Sequence, residues 1–289
     1  MTIVYFTIGN NLDMYTQVYL SIASFKKHLE PDDRVVAVTT NTEFFARLEW
    51  IDIIQIDKKI VEDWKGCNNF FWRAKIKAIE KVATTYPEDD LLYLDCDTLW
   101  YGDWQKFKRE VASGFSFMDG NEGHPSKIKY KPQRMYKVVG GKTYSGITIG
   151  EKHNMWCAGV VAIPAEKKSE IVSTALSLCD GMLADGAEPI VVEQYSLSIA
   201  MNEKCQLQSS KPYLAHYWGN KPQWIDIAKS LIVKSFFTNV DLLDEVSRFI
   251  ESSIMKVPIY VKKHNTNKRL KSWVDKMFPD DCPKFLSQT

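Results

Sequence analysis

The chain has 289 residues, 45% of them apolar and 25% charged, with a formal net charge of +1. That length holds one large domain or two small ones, and that composition belongs to a soluble globular protein rather than a disordered or fibrous one. Near-neutrality names no charged partner, and the 6 Cys are scattered without a C-x-x-C pair or clustered Cys/His spacing, so neither zinc nor a disulfide framework is indicated.

Reduced thiols in the cytosol are the simplest reading. Met1 to Asn10 lacks the positive start and long apolar stretch of a signal peptide and reads as a first strand. No apolar run reaches membrane-span length. The expected location is therefore cytoplasmic.

Strand and helix signals alternate through the first half. Ile3 to Ile8 is a strand. Leu12 to Leu29 carries Tyr15, Val18, Ile22, Phe25 and Leu29 at helical spacing, and Pro31 closes it. Arg34 to Thr40 and Ile51 to Ile56 are strands, with a short helical stretch at Thr42 to Glu49 between them. Asn68 or Asn69 caps a helix that runs to Tyr86, with Phe71, Ala74, Ile76, Ile79 and Val82 inward. Lys75 and Lys77 read as its solvated face. Leu91 to Leu94 is a buried strand, and Gly114 to Met118 another, ending at Asp119. Residues 121–153 are rich in Lys, Gly, Pro and Tyr with weak periodicity, an irregular segment of the kind that serves as an acceptor lid. Trp156 to Pro164 is a buried strand. Helices follow at Ser169 to Ala184 and, after Pro189, at Ile190 to Met201. Strands alternating with helices imply an α/β fold with a mostly parallel, doubly wound sheet flanked by helices.

The most informative stretch is the strand that runs into Asp95, Cys96 and Asp97. Carboxylates beside an apolar core need a partner. A divalent cation such as Mg²⁺ or Mn²⁺, with a bound phosphate, is the usual use of such a pair. Asp-x-Asp after a strand also occurs as a plain loop start or helix cap. Its place brings the first reading level with the second: ligands of doubly wound sheets bind at the carboxyl ends of strands.

The tail differs in composition. Lys256, Lys262, Lys263, Lys268, Arg269, Lys271 and Lys276 face a single acid, Asp275, and are interleaved with Ile259, Tyr260, Leu270, Trp273, Val274, Met277 and Phe278. Residues 256–278 thus fit an anionic membrane surface, or equally a solvated C-terminal helix. No nucleic-acid motif is present, and nucleic acid is not an expected partner.

Taken in order, these residues resemble the GT-A glycosyltransferases, within them the retaining family that includes glycogenin and the bacterial lipopolysaccharide galactosyl- and glucosyltransferases. The resemblance spans about residues 3–225 and implies a GT-A catalytic domain over 1–240, with a helical, basic-aromatic extension over 241–289. Leu92 to Trp100 looks like the family's D-x-D strand. His216 to Trp224 is similar to its H-x-x-G-x-x-K-P-W. The resemblance implies that Asp95, Asp97 and His216 hold Mn²⁺ or Mg²⁺ against the diphosphate of a UDP-sugar, with Lys221 and Gly219 at the phosphate. It also implies that Thr7, Ile8, Gly9, Asn10 and Tyr15 form the base and ribose pocket, and that Arg73 reaches the donor. Cys157 and Ala158 would lie against the sugar, with Asp119 on the donor sugar or acceptor and Glu193 and Gln194 under the anomeric carbon. For Thr7 to Asn11 an ordinary strand-to-helix turn is an equal reading, and for His216 a plainly hydrogen-bonded histidine is the other.

Three departures bear on specificity. The Lys follows His216 by five residues, one short of the family spacing. Trp156-Cys157-Ala158-Gly159 stands where the family has F-N-A-G, and Glu193 replaces an Asp. The implied activity is transfer of a hexose or N-acetylhexosamine to a hydroxyl of a glycan or glycolipid acceptor, such as lipopolysaccharide or capsule, on the inner face of a membrane. Retention needs no strong general base; inversion would need Glu193 or Asp119 in that role. A sugar-nucleotide nucleotidyltransferase and a non-catalytic nucleotide- or carbohydrate-binding module are the competing classes.

Overall fold

The computed structural model describes residues 1–261 and 265–278; Lys262 and Lys263 of the basic tail, and Cys282, lie outside them. The chain opens with β1 (Thr2–Thr7), α1 (Leu12–Lys26), β2 (Arg34–Thr39), β3 (Asp52–Gln55), α2 (Lys58–Trp64) and α3 (Arg73–Thr85). Next come β4 (Leu91–Leu94), β5 (Thr98–Trp100), α4 (Trp104–Ala112), β6 (Phe115–Met118), β7 (Asn121–Gly123), α5 (Lys131–Val139), β8 (Thr143–Tyr144) and β9 (Ile147–Thr148). The rest is β10 (Met155–Trp156), β11 (Val160–Ile163), α6 (Ala165–Ala184), α7 (Val192–Lys204), β12 (Gln206–Ser209), β13 (Leu214–His216), α8 (Lys221–Thr238), α9 (Leu242–Ser253) and α10 (Asn265–Met277).

The central sheet has seven strands in the order β12-β6-β11-β4-β1-β2-β3. All its pairings are parallel except those of β11, which runs antiparallel to β4 and to β6. The expected mostly parallel sheet flanked by helices is therefore what forms. Its strands alternate faces with period two. Val4, Val36, Tyr93 and Val161 pack under α3, α6 and α7, while Ile3, Tyr5, Leu92 and Val160 pack with α1 and α4 on the other side. Burial on both faces is why these strands read as continuous apolar runs.

Four details differ from the sequence reading. Helix α3 starts at Arg73, after Asn69 takes a left-handed turn (φ 48°); Phe71 is then exposed rather than inward, and Trp72 beside it is exposed too. Residues 121–153 are not an irregular flap. They hold β7, α5 and the β8–β9 hairpin, and Met135, Val139 and Ile149 anchor them in the core. The stretch from Trp156 to Pro164 is two strands, β10 paired with β7 and β11 in the main sheet. Lys75 is buried, not solvated.

A third apolar cluster lies against α1. Leu99, Ala215, Tyr217 and Trp224 join Leu20 and Ala23 of α1 and Val246 of α9. It clamps β13 antiparallel to β5, with His216 opposite Thr98. No helix among the described residues is long and apolar enough to cross a membrane.

Candidate active site

The site begins where β4 stops. The ladder between β4 and β11 continues one step, with Asp95 N–H donating to the Gly159 carbonyl at 2.8 Å. The chain then turns and re-enters a ladder as β5, and Asp97 accepts the Tyr217 N–H at 3.0 Å through its carbonyl. Two short backbone pairings thus bring Asp95, Asp97, Gly159 and His216 to one point at the carboxyl end of the sheet.

Ligand atoms of Asp95, Asp97 and His216 lie within 4.8 Å of one another. Asp97 is buried, and its Oδ2 has no hydrogen-bond partner; Lys221 Nζ at 3.0 Å and His216 Nε2 at 3.4 Å are close but not aligned as donors. The charges on these two groups, rather than an aligned hydrogen bond, offset the cost of burying the oxygen. Burial pushes the Asp97 carboxyl up, but the neighbouring His216 and Lys221 pull it further down, to about 2. The His216 ring sits over Gly159, where an added Cβ would fall 2.0 Å from Cε1. Only glycine leaves room for this imidazole. Burial disfavours its cation, but contacts with Asp119, Asp97 and Cys157 outweigh that and raise the imidazole well above its usual range.

The other side of His216 is also occupied. Nδ1 lies 3.2 Å from Asp119 Oδ2 and 3.5 Å from Cys157 Sγ. Asp119 arrives at the end of β6, where its N–H donates to the Cys157 carbonyl. Cys96, between the two acids, has its thiol pushed up by burial and the flanking carboxylates.

Beneath Asp95 lies a group that the sequence reading placed in solvent. Lys75 Nζ donates to the Ala158 carbonyl at 2.6 Å and lies 3.3 Å from Asp95 Oδ1 and 3.1 Å from Glu193 Oε1. Tyr93 donates its hydroxyl to Asp95 Oδ1 at 2.9 Å. Burial lowers the Lys75 ammonium, and Asp95 and Glu193 more than reverse this; burial raises the Glu193 carboxyl against the pull of Lys75. A signal was present: Lys75, Ala78, Ile79 and Val82 follow the i, i+3, i+4, i+7 spacing of one helix stripe.

The remaining predicted residues fall in several places. Thr7 is buried and donates to Thr39; Gly9 N–H donates to Thr40 Oγ1, and Asn10 accepts from Asn41 at 2.8 Å. Tyr15 is buried, stacked on Phe44 at 3.9 Å, with its hydroxyl on the Gly9 carbonyl. This turn, with Ile8, closes β1, the parallel neighbour of β4. Gln194 donates to Glu122 at 2.8 Å, a partner the sequence did not reveal. Gly219 packs against Tyr260 of the tail, whose ring a Cβ would meet at 2.2 Å. Arg73 is not among the groups that touch the acids. Its guanidinium forks onto Asp180 at 2.6 and 2.9 Å and donates to the Trp64 carbonyl.

No family model and no curated protein matches the sequence. Two similar solved structures are of the galactosyltransferase LgtC. One, in complex with donor and acceptor sugar analogs, is 15% identical over 73% of this chain and 74% of that one, with a TM-score of 0.49. The other, an active-site mutant of LgtC, is 14% identical with the same coverage and TM-score. A likeness of this degree says nothing of activity.

Proposed function

We propose that the protein is a glycosyltransferase that moves a hexose or N-acetylhexosamine from a UDP-sugar to a hydroxyl of a glycan or glycolipid acceptor, with retention. One observation carries the reading: Asp95, Asp97 and His216 converge at the carboxyl end of β4, with a buried Asp97 oxygen that lacks a hydrogen bond. Two carboxylates and an imidazole suit Mn²⁺ or Mg²⁺. When bound there, such an ion supplies Lewis-acid stabilisation of a departing diphosphate.

The chain's own residues do the rest. Lys221, half exposed at the start of α8, offers its ammonium to the phosphate. The turn from Thr7 to Asn10, with Tyr15 behind it, holds the base and ribose. Ala158 and Cys157 line the sugar's approach, and Gly219 keeps the turn before Lys221 close-packed. Glu193 is bound to Lys75 and Asp119 to His216, so each carboxylate is engaged as the structure stands. That favours retention, in which the leaving phosphate accepts the acceptor's proton. Gln194 faces the reacting carbon and stabilises positive charge there through its carbonyl. Arg73, locked on Asp180, contributes to the helix that presents Lys75 and not to the donor.

The acceptor lies at a cell-surface glycan such as lipopolysaccharide or capsule, with the protein on the inner face of a membrane. Support for the membrane role comes from α10 and the residue that follows it, where Leu270, Trp273, Val274, Met277 and Phe278 are exposed at i, i+3, i+4, i+7, i+8 spacing. Equal pelleting of full-length protein and residues 1–255 with anionic liposomes would count against it. The transferase itself is tested by a screen of nucleotide-sugar hydrolysis with Mn²⁺, followed by NMR of the product anomer. UDP binding that is indifferent to Mn²⁺ and to Asp97→Ala would instead mark a binding module.

A further inference from the structure

We propose that Cys157, His216 and Asp119 form a second cation site, for a thiophilic divalent ion of the Zn²⁺ class, on the Nδ1 side of the imidazole. The three residues come from the ends of β10, β13 and β6, and their ligand atoms lie within 4.8 Å of one another. They are too far apart in sequence for any spacing rule to link them.

The distances fit the ion. Tetrahedral zinc, with Zn–S of about 2.3 Å and Zn–N and Zn–O of about 2.1 Å, sets sulfur about 3.6 Å from nitrogen and nitrogen about 3.4 Å from oxygen. The observed separations are 3.5 Å for Sγ to Nδ1 and 3.2 Å for Nδ1 to Oδ2. Hydrogen bonding alone accounts for this set poorly. If the single proton on Nδ1 serves Asp119, the Cys157 contact leaves a thiol, a weak donor, facing an atom that has no lone pair to accept it. Thiolate, imidazole and carboxylate with one open position is the ligand make-up of a zinc site that keeps a water. Cys157 is only partly buried, which leaves a way in.

Coordination needs the thiolate and an unprotonated Nδ1, so the protons of both groups pass to solvent. A neutral imidazole then keeps its remaining proton on Nε2, the atom that faces Asp97. Ligation at both nitrogens would require the imidazolate. Zinc at Nδ1 and Mn²⁺ at Nε2 therefore exclude each other. This consequence, unlike the zinc site itself, rests on the proposed function.

The test uses the full chain titrated with Co²⁺, whose bond to a thiolate gives a near-ultraviolet charge-transfer band. The band is expected in wild type, Cys96→Ser and Asp97→Asn, and lost in Cys157→Ser. Its absence from wild type, or its survival in Cys157→Ser, overturns the site. Asp119→Asn should weaken zinc binding by about 100-fold, at the upper end of what supporting residues cost. Unchanged affinity overturns Asp119 as a ligand. Wild-type protein alone gives an independent readout: Zn²⁺ should slow alkylation of Cys157, resolved by peptide mass spectrometry, and an unchanged rate counts against the site. Mn²⁺ release on zinc addition, followed by electron paramagnetic resonance, supports the exclusion, and simultaneous binding refutes it. A protein with the cobalt band but with metal-independent UDP binding would keep this site and lose the transferase reading.

Discussion

Replacing Lys75 by methionine keeps the length of the side chain and removes its charge. The ammonium is 3% exposed and sits 3.1 Å from Glu193, 3.3 Å from Asp95 and 2.6 Å from the Ala158 carbonyl. All three acceptors lose their partner together. Removing one member of a buried ion pair costs about 3–5 kcal/mol. Asp95, with its side chain 27% exposed and a Tyr93 hydrogen bond, has other means of stabilisation, whereas Glu193 has only 8% exposure. The lower end of the range, about 3 kcal/mol, therefore applies to Lys75→Met. At about 2 °C per kcal/mol for a chain of this size, the melting temperature should fall by about 6 °C. Calorimetry and urea unfolding read both figures. Adding Glu193→Gln removes the stranded charge, and the double variant should recover about 1–2 kcal/mol over the sum of the single losses. Wild-type stability in Lys75→Met, or strict additivity in the double, would refute the idea that this lysine holds the acids in place.

Other outcomes can be checked on the same protein. Asp97→Asn removes one carboxylate of the proposed metal set and should weaken Mn²⁺ binding by about 100-fold or more in calorimetry; equal affinity would place the ion elsewhere. Gly159→Ala puts a Cβ 2.0 Å from the His216 ring, and should cost about 1–3 kcal/mol of stability together with metal binding. An alanine variant that binds Mn²⁺ like wild type would show that the ring moves aside freely. The raised His216 pKa stabilises the metal-free fold at low pH, a contribution lost as pH rises through the folded-state value. Mn²⁺ must displace that proton, so its affinity should rise with pH, by about tenfold per unit while the proton stays on the free protein. An affinity that is flat with pH would mean His216 is not a ligand.

The inner strands of the sheet were legible because they are buried on both faces and so appear as apolar runs. The acids at Asp95 and Asp97 were legible for the related reason that polarity changes abruptly where such a run stops. Other parts were not. β12 is Gln206-Leu207-Gln208-Ser209, an edge strand with mixed polarity, and β13 is three residues long, so neither stands out from a loop. His216 was found through resemblance; its contact with Asp97 depends on the β5–β13 ladder, which pairs residues more than a hundred positions apart. Lys75 sat on the apolar stripe of its helix, but its charge argued against burial until Glu193 and Asp95 were in place around it. Residues 121–153 seemed irregular because α5 and the small strands are short, and α5 offers only Met135 and Val139 as buried apolar positions, too few to show a period.

The single reversed strand in the sheet has a consequence for which residues reach the rim where Asp95 and Asp97 lie. In an all-parallel sheet the segment that enters a strand lies at the far edge from the ligands. Had β11 run parallel to β4, residues 157–159 would sit about 13 Å away, four residues at about 3.3 Å each. Turning β11 over lets the chain visit the same rim on the way into a strand as well as on the way out. Cys157, Ala158 and Gly159 are the residues delivered by that visit. The rim thereby gains a segment that carries no helix behind it, and under the proposed cation site the side chain at position 157 can change without disturbing any element of the sheet.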